Sequence, residues 1–363
     1  MSTTAAPLRV AMISYYLPSG SKIGVGYQVH ALANALVDRG HSVTVFSSCG
    51  PSPGARYKTE TLSLSGSNRT FKFALRLRHV DWTRFDVLHA HGDDYWLWRR
   101  RVPAHVRTLH GSCLSEALWV KGSRERLRML LLGLSEVLAS VVADETVAVS
   151  ANTRRWLPWV RSVVPNGVDL ARFRPGERSL TPSLLFVGTY LHRKRGKLLT
   201  EVFQREVLPV VPDAELWMVC EDAPALPGVK VLGRVSDEEL AELYRRAWAF
   251  CLPSTYEGFG IPYIEAMGSG CPVVATRNSG AVEVTCNGRL GVIAGDDRLG
   301  EAIVNLLTSA SERQRLAQEG LNNVSRYDLR TVAAAYEAIY GRLLGVGRKA
   351  PGSTNYEQPA QSS

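Results

Sequence analysis

Apolar and polar positions along this chain fall into two successions, each alternating short, nearly unbroken apolar runs with stretches whose apolar residues recur at three and four. The first opens with LRVAMISYY (8–16), apolar and β-branched, which predicts a strand. A glycine-bearing loop follows, then YQVHALANALVDRG (27–40), whose spacing predicts a helix ending at Gly40. The strand SVTVFSS (42–48) comes at once. DVLHAH (86–91), VRTLHG (106–111) and ETVAVS (145–150) read as further buried strands, with ERLRMLLLGLSEVLASVV (125–142) a helix before the last. Runs of this kind predict a parallel sheet covered by helices.

After VVPNGVDLARFRPGERSLTPS (163–183), rich in Pro, Gly and polar residues, the alternation restarts. It gives strand LLFVGTY, helix GKLLTEVFQREVLPVV, strands AELWMVC and VKVLG, and helix DEELAELYRRA, opened by a capping box of Ser236 and Glu239. Strand WAFCLP and strand CPVVAT follow. The pattern predicts two α/β domains, residues 1–170 and 171–330, a C-terminal helix at 331–347 that packs back on the first domain, and a disordered polar tail at 348–363.

Composition narrows the class. The chain has 363 residues, long enough for two cores, and 43 Lys and Arg against 34 Asp and Glu, a net charge of +9 that suits an anionic ligand, nucleic acid or an acidic membrane. Six scattered cysteines, with no CxxC pair, predict a reducing compartment and no structural metal. No basic-then-apolar leader opens the sequence, and its most apolar later segment is broken by Ser135 and Glu136, so no transmembrane span is expected.

The chemistry concentrates in STYEGFGIPYIEAMGSG (254–270), where Glu257 and Glu265 flank a loop stripped of side chains. Pro262 fits a first helical turn, which predicts a helix N-terminus there with Glu265 in that same turn. The loop lies after a strand, where open α/β sheets bind ligands, and Gly258 and Gly260 let backbone amides approach a phosphate. Two carboxylates beside a phosphate need other partners, and sugar hydroxyls donate to carboxylates. A sugar on each side of a diphosphate describes a nucleotide sugar. The plainer reading leaves Glu257 solvated and Glu265 as a dipole complement.

EGFGIPYIE (257–265), with PNGVD (165–169), FVG (186–188) and RTLHG (107–111) in this order, resembles the retaining glycosyltransferases of family 4. The resemblance implies a GT-B fold, two Rossmann-like domains facing each other across a donor-binding cleft. It implies transfer of a hexosyl group from a nucleotide diphosphate sugar to an acceptor hydroxyl, without metal or other cofactor. It assigns Glu257 to the donor hexose, Glu265 to the ribose, and the amides of Gly258, Phe259 and Gly260 to sugar and diphosphate. The family arginine after FVG falls on Thr189, so Arg193, or else Arg195, joins Lys194 on the pyrophosphate. Gly24 and Gly26 are expected to admit donor phosphates and Arg234 to meet the base. His110 falls at the family histidine near the donor sugar, and His91 and Asp93 are acceptor contacts. The bland alternative for HRKRGK (192–197) is a solvated basic turn.

Competing readings are an epimerase of the same fold and a non-enzymatic polyanion- or membrane-binding protein. The last draws on RTFKFALRLRHVDWTRF (69–85), whose alternation fits a strand, with a short basic amphipathic helix at a membrane surface as the alternative. No nucleic-acid motif accompanies the charge. The expected location is the cytoplasm, with peripheral contact at an anionic membrane. Trp96, Trp98, Trp156 and Trp159 either line an acceptor groove or pack.

Overall fold

The computed structural model describes residues 6–20, 23–66, 68–97, 104–117, 120 and 122–345; Trp98 and the 348–363 tail therefore lie outside the described residues. The chain divides into two compact units, residues 1–167 with 329 onward, and Val168–Asp328.

The N-terminal unit is built on strands β1 (Arg9–Ile13), β2 (Ser42–Ser47), β3 (Lys58–Thr61), β4 (Val87–Ala90), β5 (His105–Leu109), β6 (Glu145–Ala148) and β7 (Ser162–Val163). They run parallel in the order β3-β2-β1-β4-β5-β6-β7. The order reverses between β1 and β4, so the loops after these strands meet at the switch point of the sheet. The helices are α1 (Gly24–Asp38), α2 (Arg69–Leu77), α3 (Cys113–Ala117), α4 (Ser123–Val142) and α5 (Ala151–Arg154).

The second unit has strands β8 (Ser183–Val187), β9 (Glu215–Val219), β10 (Val229–Val231), β11 (Ala249–Leu252), β12 (Val273–Thr276) and β13 (Val292–Ala294). They too are parallel, in the order β10-β9-β8-β11-β12-β13, with the switch between β8 and β11. Its helices are α6 (Gly196–Val202), α7 (Asp237–Arg246), α8 (Ile261–Gly268), α9 (Ser279–Val284), α10 (Leu299–Thr308) and α11 (Ala310–Val324). The capping box at α7 forms in full: Ser236 accepts from the Glu239 amide while Glu239 accepts from the Ser236 amide.

Helix α12 (Leu329–Leu343) belongs to the N-terminal unit. Its Val332, Ala333, Tyr336, Ile339 and Tyr340 share one core with Val10 and Met12 of β1 and Val29, Leu32 and Leu36 of α1. A polar chain runs through that core. His89 lies between the Tyr340 hydroxyl at 2.6 Å and Thr108 Oγ1 at 2.7 Å, and Thr108 Oγ1 is 2.8 Å from the Tyr336 hydroxyl.

Two sequence expectations are corrected. The segment starting at Arg69 is a helix, not a strand: Phe73, Ala74 and Leu77 share its buried side at helical spacing, while Phe71 and Leu75 face solvent. Gly24 and Gly26 lie within the first turn of α1 rather than in the loop before it. A Cβ at Gly26 would stand 2.9 Å from the Tyr16 carbonyl oxygen, so that glycine lets the helix close on the chain's own loop. Gly24 is open, with nothing near its Cβ position.

Candidate functional site

In the second unit the two strands at the switch point each end in a chemically loaded loop. After β8 the chain passes Gly188 and Thr189 into a short 3-10 turn, His192–Lys194. After β11 it runs through Glu257 to Gly260, which has φ +95° and caps α8. A side chain at Gly260 would be strained by that φ and would strike the Tyr263 ring, so glycine is required for the turn itself.

The two loops are stitched together. The Thr255 amide donates to the Arg193 carbonyl at 2.9 Å, and Arg193 Nη1 returns a bond to the Tyr256 carbonyl at 2.9 Å. Glu257 Oε1 then accepts from Lys194 Nζ at 2.7 Å and Arg193 Nη1 at 2.9 Å. Burial pushes the Glu257 carboxyl up, but Lys194 and then Arg193 outweigh it and hold it below its ordinary range. Lys194 is lowered by its own burial, against the pull of Glu257.

Arg195 is engaged elsewhere. It takes a left-handed conformation, φ 58°, at the start of α6 and pairs with Asp296. Arg193, rather than Arg195, reaches Glu257; Thr189, where the resemblance places an arginine, spends its hydroxyl on the Leu191 carbonyl.

Glu265 stands one turn into α8 rather than in its first turn, which holds no acid. It accepts from the Tyr244 hydroxyl at 3.1 Å, and burial raises its carboxyl to about 7. Phe259 turns inward and meets Tyr327 edge-on at 5.9 Å, so this residue offers only its backbone to a ligand. Arg234, exposed after β10, is paired with Glu221 at 2.6 Å. Gly280, absent from the sequence reading, lets α9 close on the loop. Its Cβ would stand 2.8 Å from the Phe259 carbonyl, and its amide donates to the Glu257 carbonyl at 3.1 Å.

In the N-terminal unit His91 and His110 follow β4 and β5. His110 Nδ1 is 3.1 Å from Asn166 Oδ1, and His110 Nε2 is 2.8 Å from His91 Nδ1. An amide oxygen only accepts, so His110 carries its proton on Nδ1, and His91 donates from Nδ1 to His110 Nε2. Both nitrogens of His110 are thus taken, and His91 Nε2 is buried without a hydrogen-bond partner. Burial lowers His110 to about 4 and His91 well below its ordinary value, so both rings are neutral.

Asp93 has φ 62°, and burial raises its carboxyl to about 7. Its neighbour Asp94, which sequence reasoning passed over, is buried with Arg107 and with His105 Nε2 at 3.0 Å. Trp96 is exposed, and Trp159, also exposed, donates its indole N–H to Ser140 Oγ at 3.0 Å.

Comparison with known proteins adds the following. The family model described as Glycosyltransferase Family 4 matches residues 23–172, and that described as Glycosyl transferases group 1 matches residues 181–309. An MMP alpha-(1->4)-mannosyltransferase of Mycolicibacterium hassiacum is 34% identical over 202 residues, which are 50% of this chain and 48% of that protein, about half of each. A phosphatidyl-myo-inositol mannosyltransferase of Mycolicibacterium smegmatis is 27% identical over 406 residues, covering 98% of this chain and 100% of that one. The fold is shared with HepE from Anabaena, solved in complex with UDP-glucose, at a TM-score of 0.71, 16% identity, and coverage of 92% of this chain and 100% of that chain.

Proposed function

From the premise that this chain belongs to the group 1 glycosyltransferases of family 4, with their GT-B fold, we propose that it moves a hexosyl group from a nucleotide diphosphate sugar to an acceptor hydroxyl with retained anomeric configuration. The observation that carries the finer reading is the convergence, across the β8–β11 switch point, of Lys194 and Arg193, a glycine-capped helix N-terminus, and Glu257 and Glu265. That HepE, of the same fold, binds UDP-glucose supports a nucleotide sugar as donor.

In this reading the α8 N-terminus and the amides of Gly258 to Gly260 hold the diphosphate, as free N–H groups and the helix dipole favour anions. Lys194 and Arg193 stabilise the charge that develops on the leaving diphosphate, so the step needs no metal. Glu257 takes hydroxyls of the hexose and Glu265 those of the ribose. Attack comes from the face the diphosphate leaves, and the departing phosphate oxygen takes the acceptor proton. Retention follows without a covalent intermediate. Arg234 contacts the base, Gly24 flanks the donor phosphates, and His91 and Asp93 belong to the acceptor side. His110 acts near the reacting sugar as a neutral ring held by His91 and Asn166. The enzyme works in the cytoplasm, in peripheral contact with an anionic membrane; among the described residues no helix is long and apolar enough to cross one.

A thermal-shift screen of UDP, GDP, ADP and dTDP with their common hexose conjugates tests the donor site. The expected result is stabilisation by one nucleotide series, weakened in Glu265→Ala. Absence of any shift in folded protein would overturn the reading.

A further inference from the structure

Helix α4 carries apolar side chains outward as well as inward, where Met129, Leu132 and Val137 are half-buried. Its fully buried positions are the small residues Gly133, Ala139 and Ser140, while Leu127, Leu131, Leu134, Leu138 and Val141, at spacings of three and four, face solvent. Exposure reaches 64% at Leu138 and 70% at Val141. A surface helix of a soluble unit normally presents the opposite pattern. Gly133 explains the inward side: a Cβ there would stand 2.4 Å from Leu114, so the helix approaches α3 through its smallest residue. The acid in its second half is also turned away from the stripe. Glu136 accepts from the Cys113 amide at 2.9 Å and from its thiol at 3.1 Å, which leaves the outward stripe from Leu131 to Val141 without a charged side chain.

The charges sit at the other end. Arg124, Arg126 and Arg128 occupy the first two turns against a single Glu125. Arg128, shared with Glu125, also lines a cavity of about 810 Å³ at the ends of β1 and β2, beside Tyr15, Tyr16, Asn68, Arg69 and Phe71. Through that cavity α4 is continuous with α2, which carries Arg69, Lys72 and Arg76, no acidic residue, and the exposed apolar Phe71 and Leu75. The opening is thus lined by Arg69 and Phe71 of α2 and by Arg128 of α4, and each helix carries exposed apolar side chains beside it. Water does not favour this surface, and a protein partner's face would need a matching acidic rim. An anionic bilayer supplies both halves at once, acyl chains for the leucines and phosphates for the arginines.

We infer that the outward leucine face of α4, with the basic α2 beside it, seats the N-terminal unit on an anionic lipid bilayer. This deepens the peripheral-contact reading above by assigning it a surface, and moves its centre from the 69–85 segment to α4. Leu131 and Leu134 enter the acyl boundary, Arg69 and Arg128 meet headgroup phosphates at the mouth of the cavity, and the exposed Lys72 of α2 meets them beside it.

The test is co-sedimentation of the full chain with vesicles of phosphatidylcholine alone or with about one-third phosphatidylglycerol, at low and high salt. Wild type should bind the anionic vesicles and be released by salt. Leu131→Glu with Leu134→Glu should weaken binding at least about tenfold, and Arg69→Ala with Lys72→Ala by several-fold. The affected side chains are exposed, so melting temperature and nucleotide-induced shifts should be unchanged, which separates this proposal from the donor-site reading. Equal vesicle binding by the Leu131→Glu, Leu134→Glu variant would overturn the assignment to α4. Failure of wild type to bind any vesicle would overturn it too, as would a wild-type dimer in light scattering that the same pair dissolves without vesicle binding, which would make the occupant a second copy.

Discussion

Lys194 Nζ and Glu257 Oε1 lie 2.7 Å apart, with Arg193 Nη1 sharing the same oxygen at 2.9 Å, so one carboxylate oxygen holds both cations assigned to the diphosphate. Glu257 thus supplies the counter-charge to Lys194 in a mostly buried position. A diphosphate that draws the cations toward itself frees Glu257 for sugar hydroxyls. Glu257→Gln keeps the shape and removes the charge, leaving Lys194 without its counter-ion. Breaking a buried pair in this way costs about 3 kcal/mol, readable in urea unfolding, and turnover should fall by at least about 100-fold. The sign with pH is fixed: Glu257 is held below its ordinary value of 4.5, so the pair's contribution is present above that value and lost as pH falls through the lower folded one. Undiminished stability and turnover in Glu257→Gln would remove it from the site.

Glu265 carries the opposite shift. Burial raises its carboxyl to about 7 from 4.5, against the Tyr244 hydroxyl that lowers it. Between those values the folded protein binds a proton that the unfolded chain has released, so this residue's contribution to stability falls as pH rises from 4.5 to 7. Ribose hydroxyls donate to the ionised form, so nucleotide affinity should rise through pH 7 and level off above it. Glu265→Gln should flatten both profiles while leaving the protein somewhat more stable at pH 8. Calorimetric titration of nucleotide across pH 5.5–8.5 decides it. A pH-independent wild-type affinity would show that Glu265 does not meet the nucleotide.

The buried histidines titrate out of reach of neutral pH. Burial lowers His89 to about 3, and His105 and His110 each to about 4. Each is neutral when folded and charged when unfolded below 6.5, so their contribution is complete above that value and lost as pH falls toward 4. Turnover should accordingly show no limb near pH 6.5 from His110. Long-range nitrogen–proton correlation spectra should find His110 and His91 as neutral rings protonated at Nδ1 from pH 5.5 to 8. A His110 signal that titrates near 6.5 would break the His91–His110–Asn166 assignment.

How much of this was legible in the sequence depends on whether a residue's surroundings are local. The α7 capping box was legible because Ser236 and Glu239 are three apart and close on one turn of backbone. The glutamate loop was legible because Gly260, Pro262 and the strand before them fix a strand–turn–helix junction within a dozen residues. Helix α2 was misread because alternation of Phe71, Phe73 and Leu75 mimics a strand, and only packing distinguishes the buried Phe73 from its exposed neighbours. The same limit hid Asp94, whose partners Arg107 and His105 arrive from β5, and the outward leucines of α4, whose spacing is that of any core helix. That both nitrogens of His110 are occupied is likewise tertiary, since Asn166 lies 56 residues away.

The polar chain under α12 yields a graded prediction. His89 is fully buried and has one partner per ring nitrogen, the Tyr340 hydroxyl and Thr108 Oγ1. Tyr340→Phe strands one nitrogen in the core and should cost about 1–3 kcal/mol. Tyr336→Phe leaves Thr108 still bonded to His89, so it should cost less, about 1 kcal/mol. Ending the chain at Asp328 goes further, because it strips five buried side chains, Val332, Ala333, Tyr336, Ile339 and Tyr340, from the core that β1 and α1 complete. At about 1.5–3 kcal/mol for each large apolar side chain the loss approaches a domain's whole stability of about 5–15 kcal/mol. The shortened chain should bind a hydrophobic dye and lose protection of the β1 and β4 amides in hydrogen exchange. Native protection of those amides without α12 would show that the helix merely covers a unit that folds without it.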